Sequence, residues 1–174
     1  MNKLFIINIL LLGFFSCTEK KAGNDMMPVW THEQSTNINK RFADEEEIRI
    51  KLFLKTHDNW DVTKTGTGLR YWIYEDVEGP NAEAYDIVDV AFEIRLLNDS
   101  LLYKTEKNEL STFEVDKSDV ESGIMEGIKY LSENDKAKFI IPSHIAHGLL
   151  GDFDKIPPLE VLVVDLELKK IHKK

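Results

Sequence analysis

Chemistry by individual side chains would have to come from His32, His57, His144, His147, His172 or the lone Cys17. His144 and His147 stand three apart, close enough for two imidazoles to meet one metal, but no Cys, Asp or Glu lies at convincing ligand spacing before Asp152. The chain has no glycine-rich phosphate loop, no G-x-G-x-x-G, no H-E-x-x-H and no G-x-S-x-G. No metal and no cofactor is expected, so an activity here must come from the shape and polarity of a pocket.

The cysteine has a different chemistry. Residues 1–16 read MNKLFIINILLLGFFS, with Lys3 ahead of an apolar run from Leu4 to Phe15 and no acidic residue. The run is shorter than the roughly 20 residues a bilayer-spanning helix needs. Cys17 follows Ser16 directly after it, which resembles a bacterial lipoprotein signal, although Phe14 stands where that motif has a smaller aliphatic residue. The alternative is an ordinary secretory signal with a chance cysteine. Cleavage before Cys17 would leave 174 − 16 = 158 residues and, with Lys3 gone, change the net charge from −9 to −10. Two or three acyl chains would anchor the chain, each buried methylene adding about 0.8 kcal/mol. The expectation is an exported protein, lipid-anchored to a bacterial membrane and facing the periplasm. Residues 17–41 are polar and without period and read as a tether, in which Met26, Met27 and Trp30 pack loosely on the domain or meet a partner.

Composition narrows the class further. Thirty-one acidic residues against 22 basic ones leave no cation excess to displace counterions from phosphates, so no nucleic-acid partner is expected. A single cysteine excludes an intramolecular disulfide framework. At 43% apolar, 174 residues are enough for one domain with a core.

The elements that must hold a pocket follow from periodicity. A helix is expected within residues 42–62, with Asp44 as N-cap, three glutamates in the first turn and Ile48, Leu52 and Phe53 on one face, broadened by Ile50 and Leu54. Strands are expected at 69–74, 87–97, 101–105, 111–115, 136–142 and 161–171. In the second, Val88, Val90, Phe92, Ile94 and Leu96 alternate with polar or small residues, and in the last Leu162, Val164, Leu166 and Leu168 alternate with Asp165, Glu167 and Lys169. An amphipathic helix is expected over 119–131, and a long loop follows Pro142. Hairpin-connected strands with one short covering helix make an α+β domain, an antiparallel sheet wrapped on that helix, with an extra N-terminal helix.

One stretch is specific. Val120-x-x-Gly123-x-x-Glu126-Gly127, Lys136-Ala137-Lys138-x-Ile140-Ile141-Pro142-Ser143, Ala146-x-Gly148-x-x-Gly151, Ile156-Pro157-Pro158 and Leu162-Val163-Val164-Asp165-Leu166-Glu167-Leu168 follow in that order. Over residues 66–174 the chain resembles the FK506-binding (FKBP) class of peptidyl-prolyl cis-trans isomerases. With the N-terminal signal and leading helix, it is similar to the gliding-motility-associated isomerase lipoproteins of Bacteroidetes-type bacteria. That likeness implies proline-containing exported polypeptides as substrates and components of a motility or secretion machinery as partners. A weakly catalytic chaperone on the same fold and a structural lipoprotein are the alternatives.

The resemblance also implies site residues. Val120, Glu121 and Ile124 form the pocket floor, with the Glu121 N–H holding a substrate carbonyl and Ile124 where the family has a large aromatic. Phe92 matches a pocket tyrosine without its hydroxyl. Leu102 or Tyr103 falls near a pocket phenylalanine, and Tyr103 or Lys104 stands where the family has an aspartate. His147 takes the place of the tyrosine in an Ala-Tyr-Gly motif, Ile156 keeps a loop hydrophobe, and Val164 replaces an aromatic on the last strand. These departures imply altered activity and weaker binding of FK506-like macrolides.

Overall fold

The alternating apolar residues bring the two longest strands together. A computed structural model describes residues 31–107 and 109–174; the signal, Cys17 and the tether up to residue 30 lie outside the described residues. Strands β3 (Ile87–Leu96) and β7 (Leu162–His172) pair antiparallel from Leu96 opposite Leu162 to Ile87 opposite His172, with a bulge at Asp89/Val90. The other edge of β7 carries β6 (Lys136–Ile141), then β2 (Arg70–Glu75) and the two-residue β1 (Thr63–Lys64). The far side of β3 is shared by β4 (Leu101–Lys104) and β5 (Ser111–Glu114). The result is a curved, antiparallel seven-stranded sheet.

Each face of this sheet is covered by one helix. The inner face buries Val88, Val90, Phe139, Ile141, Leu166 and Leu168 against Ile124, Met125 and Ile128. Those last residues belong to α2 (Ser122–Gly127) and a 3-10 turn over Ile128–Tyr130. The helix expected over 119–131 is therefore shorter, because Glu121 is extended (φ −54°, ψ 135°) and the last turn tightens. Gly127 lets α2 lie flat on β6, since a Cβ there would stand 2.9 Å from the Phe139 ring.

The outer face is covered by α1 (His32–Thr56), which differs from the expected 42–62 helix at both ends. Its N-cap is Thr31, not Asp44: Thr31 and Gln34 form a capping box with backbone bonds of 3.1 and 2.9 Å. Residues 32–41, read as tether, are thus helical. That part of the helix is polar almost all round, so apolar period carries no trace of it. The buried face is also rotated. Ile48 and Leu52 are 58% and 56% exposed, while Glu46, Ile50 and Phe53 are buried. The stripe contains a carboxylate because Ser143 satisfies it, through its N–H at 3.2 Å and its hydroxyl. Ile50 and Phe53 pack on Ile140, Val161 and Val163, each such side chain stabilising the docked helix by about 1.5–3 kcal/mol. Glu47 adds an ion pair with the buried Arg70 at 2.6 Å.

Candidate functional site

Between the curved sheet and α2 lies a cavity of about 380 Å³. All eight residues singled out above line it: Phe92, Tyr103, Val120, Glu121, Ile124, His147, Ile156 and Val164. Strand register sets its wall. Ile94 faces Tyr103 on one side and Val164 on the other, and Phe92 faces Leu166. Of the three residues left open, Tyr103 and Lys104 line the cavity and Leu102 does not; Leu102 and Tyr103 both pack against the core. Ile124 and Ile156 are nearly inaccessible, at 6% and 4%.

Polar groups sit at the mouth. The Glu121 carbonyl accepts the N–H groups of Ile124 and Met125 at 2.9 and 3.0 Å, starting α2. Among the described residues the Glu121 N–H has no acceptor. The Glu121 carboxylate instead meets His147, Nε2 to Oε1 2.7 Å. A neutral imidazole carries one N–H and one bare nitrogen; protonation gives it a second donor.

A second polar contact ties β4 to the loop between β6 and β7. The Tyr103 hydroxyl donates to Asp152, whose Oδ1 also accepts the N–H groups of Asp154 and Ile156 at 2.9 and 2.7 Å. Burial pushes the Asp152 carboxyl up, but the Tyr103 hydroxyl and these N–H groups bring it down to about 2. The same contact pushes the Tyr103 hydroxyl up to about 12. At neutral pH the pair is therefore a phenol on a carboxylate, a fixed latch. Gly151 allows the turn before it: its φ is 67°, and a Cβ there would overlap the Ile156 carbonyl.

Asp152 is the functional-site residue that sequence reasoning missed as such. Its Oδ1 serves N–H groups two and four residues on, but the Tyr103 hydroxyl that ties it to the cavity comes from another strand and leaves no local signal. His144, paired above with His147, turns away, its Nε2 2.9 Å from the Thr67 carbonyl. Among the described residues no group of three His, Cys, Asp or Glu is placed to hold a metal, and no helix is long and apolar enough to cross a membrane. What this geometry can do is receive an apolar group against a largely apolar wall and offer it the Glu121 N–H, which has no acceptor among the described residues.

Comparison with known proteins gives the same direction. Residues 79–169, just over half of the chain, match the family model for FKBP-type peptidyl-prolyl cis-trans isomerases. The chain is 35% identical over 157 residues to a Neisseria meningitidis serogroup B protein named "Probable FKBP-type peptidyl-prolyl cis-trans isomerase FkpA", covering 88% of this chain and 57% of that one. It is 28% identical to FkpA of Buchnera aphidicola from Acyrthosiphon pisum, covering 74% and 53%. The chain thus spans about half the length of the curated relatives it matches. The crystal structure of FkpA from Escherichia coli superposes with a TM-score of 0.65 at 28% identity, covering 80% of this chain and 64% of that one. A peptidyl-prolyl cis-trans isomerase from Pseudomonas syringae shares the fold, with a TM-score of 0.60 at 23% identity over 73% of this chain and 96% of that one.

Proposed function

Because the chain belongs to the FKBP-type peptidyl-prolyl cis-trans isomerases, we propose that it catalyses rotation about Xaa-Pro bonds in unfolded, exported polypeptides. The Xaa-Pro bond turns slowly because amide resonance sets a barrier of about 18–20 kcal/mol. Each tenfold acceleration needs about 1.36 kcal/mol off that barrier. The twisted amide has lost resonance and carries less charge separation than the planar one, so a dry pocket favours it over the ground state. In this reading the proline ring sits on Ile124 between Phe92, Ile156 and Val164, and the Glu121 N–H holds the substrate carbonyl at the rim. His147 offers a second donor when protonated. Tyr103 and Asp152 keep the loop with Ile156 closed on the pocket.

The observation that carries this reading is the apolar-walled cavity lined by Glu121, whose N–H has no acceptor among the described residues. The test is the cis-to-trans rate of Xaa-Pro tetrapeptides with the full-length chain, measured by NMR exchange, against the Ile156→Asp variant. Acceleration that the variant loses while keeping its fold supports the proposal. No acceleration by a folded wild-type chain across several Xaa residues leaves a binding module on this fold. Ile124, Val164 and Phe92, smaller or less polar than the family's residues, are what would favour that second reading.

The lipoprotein signal read in residues 1–17 extends the proposal to place. We read the protein as exported and lipid-anchored through Cys17, facing the periplasm and serving chains that arrive there. A role for those clients in motility or secretion machinery follows the likeness in signal and leading helix.

A further inference from the structure

The loop that joins β6 to β7 carries His147, Asp152 and Ile156 into the cavity. Its own bonds converge on two places. The Ser143 carbonyl accepts the N–H groups of Ala146 at 3.0 Å and Gly148 at 2.8 Å, which fixes the backbone on either side of His147. The Gly148 carbonyl in turn accepts the Leu159 N–H at 2.9 Å, which ties the outgoing end of the loop to the incoming one. Ser143 and the chain around Leu159 are the roots from which the pocket side of the loop hangs.

Both roots are held from α1, on the sheet face away from the cavity. Glu46 takes the Ser143 N–H at 3.2 Å and the Ser143 hydroxyl. Arg49 forms an ion pair with Glu160, the residue after Leu159. Residues three apart on a helix are neighbours on its surface, so one patch of α1 spans both ends of the loop. Neither Glu46 nor Arg49 lines the cavity. Docking of the helix does not require this chemistry, since Ile50 and Phe53 already bury it on Ile140, Val161 and Val163. An apolar side chain in place of the buried Glu46 would avoid the cost of taking a charge out of water. What a buried carboxylate with two fixed donors supplies is one defined seat for the group it holds.

We propose that Glu46 and Arg49 are positioning residues of the isomerase: α1 clasps the two roots of the loop and thereby sets where His147 and Ile156 stand in the pocket. The inference rests on the isomerase reading of that pocket. It makes α1 a working part of the site and not a spacer ahead of it. Misplacing a site group by about 1 Å costs about 100-fold in rate, so a loop released at one root loses rate well before the domain loses its fold.

The test compares the full-length chain with Arg49→Glu, with Glu160→Arg and with the two changes together. The two side chains are 41% and 24% exposed, and a pair so placed contributes little to stability, so the variants keep the fold. kcat/KM for a tetrapeptide is measured by NMR exchange at a temperature where circular dichroism shows every variant folded. Each single change sets like charges against each other and is expected to lower kcat/KM at least about threefold, while the double change restores the pair and returns to within about twofold of wild type. A smaller fall in either single variant overturns the proposal, and so does a double variant that stays as low as the singles. Glu46→Leu reads the other root. It keeps the helix and its apolar packing but accepts nothing from Ser143, and it is expected to fall by the same factor below Glu46→Gln, which keeps an acceptor. Equal rates in the folded Leu and Gln variants overturn the proposal; if Glu46→Leu does not fold, the charge reversal decides. A wild-type chain inactive on the tetrapeptide sinks the isomerase reading alone. The clasp is then judged by the NMR resonances of the His147 ring, assigned with His147→Gln. A shift in each single charge variant that reverts in the double variant supports it, and a ring unmoved by either single change overturns it.

Discussion

Replacing Glu121 by proline isolates one backbone hydrogen. The Glu121 φ of −54° lies within proline's range of about −65 ± 15°, so the ring fits the backbone already present. Its N–H has no acceptor among the described residues, so the substitution breaks no backbone hydrogen bond there. What it removes is the donor proposed for the substrate carbonyl, together with the carboxylate that meets His147. A carbonyl left without a donor in a dry site costs about 1–3 kcal/mol. That corresponds to a loss of about 5- to 150-fold in kcat/KM. The control is Glu121→Gln, which keeps the N–H and an oxygen for His147 and is expected within about threefold of wild type. Exchange NMR on a tetrapeptide gives kcat/KM, and circular dichroism with a thermal melt confirms the fold. A folded Glu121→Pro chain within twofold of Glu121→Gln would refute the assignment of this N–H to the substrate.

Other expectations follow from contacts elsewhere. Gly127→Ala places a Cβ 2.9 Å from the fully buried Phe139 ring and should cost about 1–3 kcal/mol in a urea titration. Glu46→Ala leaves the Ser143 N–H and hydroxyl unsatisfied under α1 and should cost about 1–3 kcal/mol, with Glu46→Gln recovering part of it. The Arg70 guanidinium, with Lys64, holds Glu47 down at about 2 against an ordinary 4.5. A depressed carboxyl stabilises fully above its unfolded value and loses that contribution as pH falls, so unfolding midpoints should drop between about 4.5 and 2, less steeply in Arg70→Met. On the lipid anchor proposed at Cys17, Cys17→Ser should abolish incorporation of labelled fatty acid into the expressed protein.

What was legible in the sequence had a period or a motif. Val88 to Ile94 and Val164 to Leu168 alternate because one face of each strand is dry there, while Val163, buried under α1, interrupts the pattern, and the two strands pair as the alternation requires. The cavity residues were reached through the family resemblance that the motifs of residues 120–168 carry, which implied Phe92, Tyr103 and Val164 as well as Glu121, His147 and Ile156. The start of α1 was not legible, since its signal is the Thr31–Gln34 box and not an apolar stripe. Its buried face was misjudged because hydrophobicity ranks Ile48 and Leu52 above Glu46, while the partner that makes Glu46 buriable lies at Ser143, 97 residues away. Asp152 escaped for a similar reason: its worth depends on Tyr103 arriving from another strand. Tertiary partners decide such polar positions, and no local pattern records them.

The place of β7 in the sheet bears on how this protein is made. The last strand in chain order stands between β6 and β3 and joins β1, β2 and β6 to β3, β4 and β5. A chain emerging from a ribosome or a translocon delivers its N-terminal part first. Until residues 162–172 arrive, the two groups of strands share no pairing, and the inner face of β3 lacks the Leu166 and Leu168 that close its core. The sheet therefore cannot close until residues 162–172 are available, and the pairing that unites the two groups of strands belongs to that step.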